Sequence, residues 1–181
     1  MSLLFLDKGE LVLNLNYEHT PLLDKVFIWI TKGGEILGGV VVVLSLLVLK
    51  NKRNIVVLVA AVLLSLAVSQ LLKHVVFKNE GRPSSVYENL EPIDGVTRHK
   101  NNSFPSGHTT AAFTFFTVLA VSFKKKSIQF VAPLLASLVG ISRVYLGQHY
   151  LNDVVVGAIL GLFITSITII LLNRFVPIKV E

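Results

Sequence analysis

The sequence predicts an all-α, polytopic membrane helix bundle, and three observations carry that prediction. Apolar runs of about 20 residues recur, each long enough as a helix to cover the bilayer's hydrocarbon core. Of 181 residues, 52% are hydrophobic and 15% charged, and the mean hydropathy is +0.69, values foreign to an ordinary soluble domain. The basic residues collect in short loops between the runs instead of spreading along them.

In chain order, Met1–Leu6 is too short an apolar run for a signal peptide and lacks its basic opening and small-residue cleavage site. Residues 3–17 read instead as an amphipathic helix lying on the membrane surface. Phe27–Ile30 is apolar, but Pro21, Asp24, Lys25, Lys32 and Glu35 interrupt any clean span around it. Ile36–Leu49 is a short candidate that crosses if tilted. Four clear spans follow, near Asn54–Leu72, Phe104–Phe123, Ile128–Val144 and Leu151–Leu172. Hydropathy alone therefore supports five crossings.

The net charge of +6 resolves into clusters. Lys50, Lys52 and Arg53 share one loop, Lys124–Lys126 another, and Arg174 and Lys179 follow the last span. If the spans alternate, all three clusters lie on one face, which the positive-inside rule makes cytoplasmic. Charges held in short loops beside spans speak against a nucleic-acid partner. The absence of cysteine excludes a disulfide framework, a thiolate metal site and a cysteine nucleophile.

The opposite face then receives the loop from Lys73 to Ser103 and the connection from Arg143 to Leu151. Pro105-Ser106-Gly107-His108 begins one apolar span; Ser142-Arg143 ends another, and His149 and Asp153 follow. Pro105 suits a first helical turn, while Ser106 and the Gly107 N–H offer an anion seat at a positive helix end. His108 beside that seat can supply a proton to a departing oxygen. His149 and Asp153 stand four apart, which puts them on one helical face if the helix starts early enough; a carboxylate there fixes an imidazole tautomer and leaves its other nitrogen free to attack. Lys73, Arg82 and Arg143 can bind phosphate oxygens, although Lys73 and Arg82 taken singly also read as interfacial cations. Glu80, Glu88, Glu91 and Asp94 show no metal-ligand spacing and read as a solvated loop surface. His19, His74 and His99 fit no motif, and Asn102 or Ser103 reads as a helix-start residue.

These elements together resemble the type 2 phosphatidic acid phosphatase superfamily, whose pattern is Lys…Arg-Pro, Pro-Ser-Gly-His and Ser-Arg-x5-His-x3-Asp. The second element is matched by Pro105–His108 and the third by Ser142, Arg143, His149 and Asp153. The first departs from the pattern, because eight residues instead of six separate Lys73 from Arg82; a two-residue bulge in the Phe77–Gly81 turn would absorb them. The resemblance implies six helices forming a single domain over residues 1–181, with the site motifs inside 73–153.

It also implies hydrolysis of a lipid phosphomonoester or diphosphate through a phosphohistidine, without metal or other cofactor, at the extracytoplasmic face of a bacterial inner membrane. His149 is the implied nucleophile, Asp153 its orienting carboxylate, and His108 the general acid and base. Lys73, Arg82, Arg143, Ser106 and the Gly107 N–H are the implied phosphate ligands. The partners are then the bilayer and a lipid substrate such as undecaprenyl diphosphate, phosphatidylglycerol phosphate, phosphatidic acid or lipid A. Two alternatives use the same residues: a lipid-to-lipid phosphotransferase, and a non-catalytic lipid-phosphate binding or transport protein.

Overall fold

Capping chemistry sets where the helices begin. The computed structural model describes residues 9–175. Helix α1 spans Glu10–Tyr17. Helix α2, Pro21–Thr31, opens with proline in its first turn and with the Thr20 hydroxyl accepting from Leu23 N–H. Helix α3 is Ile36–Val48. Helix α4, Lys52–Leu71, is capped by the Asn51 side chain and runs into a π-helical turn at Leu72–Val76. After the short α5, Pro83–Val86, come α6, Gly107–Ser122, α7, Lys126–Tyr145, and α8, Leu151–Phe175.

The protein is thus an all-α bundle, built among the described residues on six helices of 11 to 25 residues. Among the described residues three segments are long and apolar enough to cross a membrane: Lys52–Val76, Lys126–Tyr145 and Leu151–Phe175. A fourth is broken: Pro21–Gly34 and Ile36–Val48 qualify together, with a 57° bend between them. The acidic and glycine residues that interrupt hydropathy near position 35 are the residues of that bend. The span expected at Phe104–Phe123 starts late, because Ser106 caps α6 and leaves residues 104–106 outside the helix.

Helix α6 is the central post, in contact with α3, α4, α7 and α8. Its inner end packs Phe115 and Val118 against Val42 and Leu46 of α3 and Val57 and Leu58 of α4. Leucine, isoleucine and phenylalanine at Leu63, Phe130, Ile159 and Phe163 face outward, as a lipid-bathed surface requires. At the same end Asn54 Nδ2 donates to Ser122 Oγ at 2.7 Å, joining the loops that carry the Lys52 and Lys124–Lys126 clusters. Of the N-terminal segment expected on the membrane surface, residues 3–8 lie outside the described residues. Its remainder, α1, packs onto protein: Val12 is fully buried in a cluster with Leu90, Val144, Tyr150 and Val154. Asn16 exchanges two hydrogen bonds with the Glu91 backbone, at 3.0 and 2.7 Å, and so fastens the long α5–α6 loop.

Candidate active site

A stripe of small residues on α8 sets the register of the site. Asp153, Gly157 and Gly161 recur every four residues and share one face. A Cβ on Gly157 would stand 2.7 Å from the Ser106 carbonyl oxygen, and one on Gly161 2.5 Å from that of Thr110. The α8 backbone therefore lies directly against the first turns of α6, as small residues permit in membrane bundles. One turn further along the same face, the Asp153 carbonyl accepts from Ser106 N–H at 3.0 Å. Close packing deep in the bundle thereby places Asp153 at its rim.

Asp153 is fully buried, and its Oδ2 gathers three donors. Ser103 Oγ donates to it, Tyr150 N–H donates at 3.1 Å, and His149 Nδ1 lies 3.3 Å away. An ionised carboxylate only accepts, so Nδ1 carries the proton and Nε2 presents its lone pair. The backbone fixes the ring as well, since His149 N–H donates to the Arg143 carbonyl at 3.1 Å. Burial pushes the His149 pKa down to about 3; the Asp153 bond opposes this, and the charges of Arg82, Arg143 and Lys73 reinforce it. His149 is therefore a neutral, oriented base at physiological pH, which is the form a nucleophile needs.

Three cations converge on the same space. Lys73, Arg82, Arg143 and His149 all line one cavity of about 860 Å³. Lys73 sits within the π-helical turn, where Phe77 N–H donates to the Leu72 carbonyl, and its Nζ donates to the Asn102 carbonyl at 3.1 Å. Between Lys73 and Arg82 the chain thus leaves the α-helix twice, in the π-helical turn that holds the lysine and in the expected Phe77–Gly81 turn, where Glu80 N–H donates to the Phe77 carbonyl and Asn79 takes a left-handed φ of 66°. Arg82 is held by the Asn101 and Gln148 carbonyls at 3.0 and 3.1 Å. Burial lowers its pKa, with Asp153 opposing. Arg143 donates to Thr31 Oγ1 at 2.8 Å, while its buried Nε has no hydrogen-bond partner among the described residues.

The start of α6 supplies the remaining elements. Gly107 and His108 line the cavity, and the His108 ring is one-third exposed. Ser106 is fully buried and is not part of the lining. Its hydroxyl caps α6, 3.4 Å from Thr109 N–H and 2.8 Å from Thr109 Oγ1. The structure thus brings together Lys73, Arg82, Gly107, His108, Arg143 and His149, sets Asp153 behind His149, and gives the Ser106 side chain a capping position. It also corrects the helix-start reading of Asn102 and Ser103: Asn102 takes a left-handed φ of 57° with its carbonyl on Lys73, and Ser103 bonds Asp153.

Several residues of the site stand outside the motifs. Thr31 and Gln148 steady the two arginines, Ser103 steadies Asp153, and Glu35 contacts His108. His99 also lines the cavity; burial, then Arg82, Arg143 and Lys73, holds its pKa below the usual histidine value. His19, by contrast, ties Asp24 to Glu91 at 3.1 and 3.3 Å, and those carboxylates raise its pKa. Among the described residues no three or more His, Cys, Asp or Glu side chains are grouped to hold a metal ion.

Comparison with known proteins matches residues 54–177, which hold every one of these motifs, to the PAP2 superfamily. The chain belongs to the PAP2 superfamily. Over 87 residues it is 44% identical to phosphatidylglycerophosphatase B of Bacillus subtilis, covering 42% of this chain and 43% of that protein. Lipid A 4'-phosphatase of Porphyromonas gingivalis is 28% identical over 161 residues, 86% of this chain and 68% of its own. The crystal structure of Aquifex aeolicus LpxE superposes with a TM-score of 0.77 at 30% identity, covering 93% of this chain and 99% of that one. The chain spans less than half the length of the first curated relatives it matches. Its PAP2 fold and its apolar crossings make it a multi-pass membrane protein.

Proposed function

We propose that this PAP2 protein is a lipid phosphatase that works through a phosphohistidine without metal, as one domain over residues 1–181. The observation that carries the reading is one cavity with two chemistries. Its lining joins Lys73, Arg82, Arg143 and His149 to the apolar side chains Ile36 and Leu37 of α3 and Val62 and Leu66 of α4. A phosphate headgroup on a hydrocarbon tail suits such a mixed lining.

In the chemistry that follows, the cations and the Gly107 N–H hold the non-reacting phosphate oxygens. His149 Nε2 attacks phosphorus as the bond to the leaving oxygen breaks, and His108 gives that oxygen its proton. Water then attacks the phosphohistidine, His108 takes back a proton, and inorganic phosphate leaves. Nothing is asked of the protein beyond positioning and charge stabilisation, which suits phosphoryl transfer. The relatives' names point to phosphatidylglycerol phosphate and the phosphates of lipid A as the first substrates to try.

Sidedness follows from charge. The Lys52 and Lys124–Lys126 loops meet at the end away from the cavity, which supports a cytoplasmic position for them and an extracytoplasmic site in a bacterial inner membrane. The test is phosphate release by detergent-solubilised protein in chelator across a panel of lipid phosphates. Release that disappears in His149→Ala is the expected result. A requirement for added divalent metal, or full release by the variant, overturns the mechanism. Transfer to a second lipid without free phosphate makes the protein a phosphotransferase instead.

A further inference from the structure

Glu35 belongs to none of the sequence motifs, yet its Oε1 lies 3.1 Å from His108 Nε2. Among the described residues it is the one side chain that hydrogen-bonds the His108 ring. It sits in the 57° break between α2 and α3, and that break is built for close approach. A Cβ on Gly34 would stand 2.5 Å from the His108 carbonyl oxygen, and one on Gly38 2.0 Å from the Gly33 carbonyl oxygen. Lacking a side chain, Gly34 lets the bend press its backbone against the first turn of α6, while Gly38 lets the bend close on itself. The carboxylate is therefore delivered to the imidazole by backbone packing, and is more than a mobile surface group that happens to reach it. Both side chains border the main cavity and the neighbouring one of about 320 Å³.

We propose that Glu35 is a positioning residue for His108, acting in the phosphatase reaction proposed above and resting on that reading. Its carboxylate accepts the Nε2–H bond throughout the cycle and takes no proton. Nδ1 is thereby left as the working nitrogen. The cycle starts from the His108 imidazolium, whose Nδ1 proton moves to the leaving oxygen in the first step as the P–O bond breaks. In the second, Nδ1 accepts a proton from the water whose oxygen attacks phosphorus. The carboxylate also sets a negative charge beside a ring that must become an imidazolium within reach of Arg143. The site then holds two carboxylate–imidazole pairs: Asp153 orients the nucleophile and Glu35 the acid.

The test compares two leaving groups, using full-length protein in detergent. Dioleoyl phosphatidic acid expels a diacylglycerol alkoxide that needs a proton; p-nitrophenyl phosphate expels p-nitrophenolate, which does not. Glu35→Gln should lower kcat/KM for the lipid phosphate by about 10- to 100-fold, within the range of general acid catalysis. Its kcat/KM for p-nitrophenyl phosphate should fall several-fold less than that for the lipid, and an unchanged circular dichroism spectrum and thermal midpoint should show that the variant is folded. Glu35→Asp should recover part of the loss, and Glu35→Gln should add nothing in a His108→Ala background. Equal losses on both substrates, or an additive loss in that background, overturn the role. A wild-type protein inert on both substrates overturns the phosphatase reading and this role with it.

Discussion

The two imidazoles of the site have the same chemistry and unequal exposure. His149 is fully buried in the turn between α7 and α8, with its ring and its backbone N–H both bonded. His108 stands at the first turn of α6, one-third exposed, against a carboxylate that is itself half exposed. The first environment removes freedom and charge together, leaving a neutral ring with one lone pair aimed into the cavity. The second permits proton exchange with water. In the proposed reaction, environment and not residue type would divide the labour between nucleophile and acid–base.

The sharpest way to break the comparison is to exchange the fates of the two rings. His149→Ala should reduce turnover by a factor on the order of 10⁴ or more, since no other group supplies the lone pair. Measured phosphate release above about one-hundredth of wild type would strip His149 of its role. His108→Ala should cost about 10²- to 10⁴-fold in kcat/KM on lipid phosphates and far less in kcat/KM with a phenolate leaving group, because dephosphorylation of His149 does not enter that ratio. If both substrates lose equally, the two rings are not specialised.

The supporting stripe gives a third prediction. Gly161→Val should force α8 away from the Thr110 carbonyl, costing about 1–3 kcal/mol and lowering the thermal midpoint in detergent. Because Asp153 rides on the same face, phosphate release at temperatures where the variant is fully folded should fall as well. A stable variant of full activity would separate the stripe from the site. The smallest effect is on pH. Burial holds His149 below its ordinary 6.5, at about 3, so the unfolded chain takes up its proton first on acidification. The ring's contribution to stability is present above about pH 6.5 and is lost as pH falls toward 3. The drop in thermal midpoint from pH 7 to 4 should be shallower in His149→Ala; an equal drop would contradict the neutral, buried ring.

How much of this was legible in the sequence depends on the range of the interaction. The α8 span was readable from hydropathy, and the His149–Asp153 pair from its four-residue spacing. The convergence of Lys73, Arg82, Gly107, His108 and Arg143 was readable because alternating spans return their ends to one face. Three features were not. Thr31 and Glu35 reach the site across 112 and 73 positions of chain, by a bend that reads locally only as an interrupted apolar run. The Ser106 hydroxyl caps α6, and Pro-Ser-Gly by itself reads as a capped helix start as well as an anion seat, so the motif alone does not choose between them. The π-helical turn at Lys73 adjusts a hydrogen-bond pattern that no residue type announces.

The most direct test of the central claim is to trap the covalent intermediate. Full-length protein would be given a ³²P-labelled lipid phosphate, quenched in alkali within one turnover, and digested for peptide mapping. The account expects label on the peptide containing His149, stable to base and lost in acid, and absent from His149→Ala. Label that is base-labile, or that persists on another residue in that variant, would contradict it.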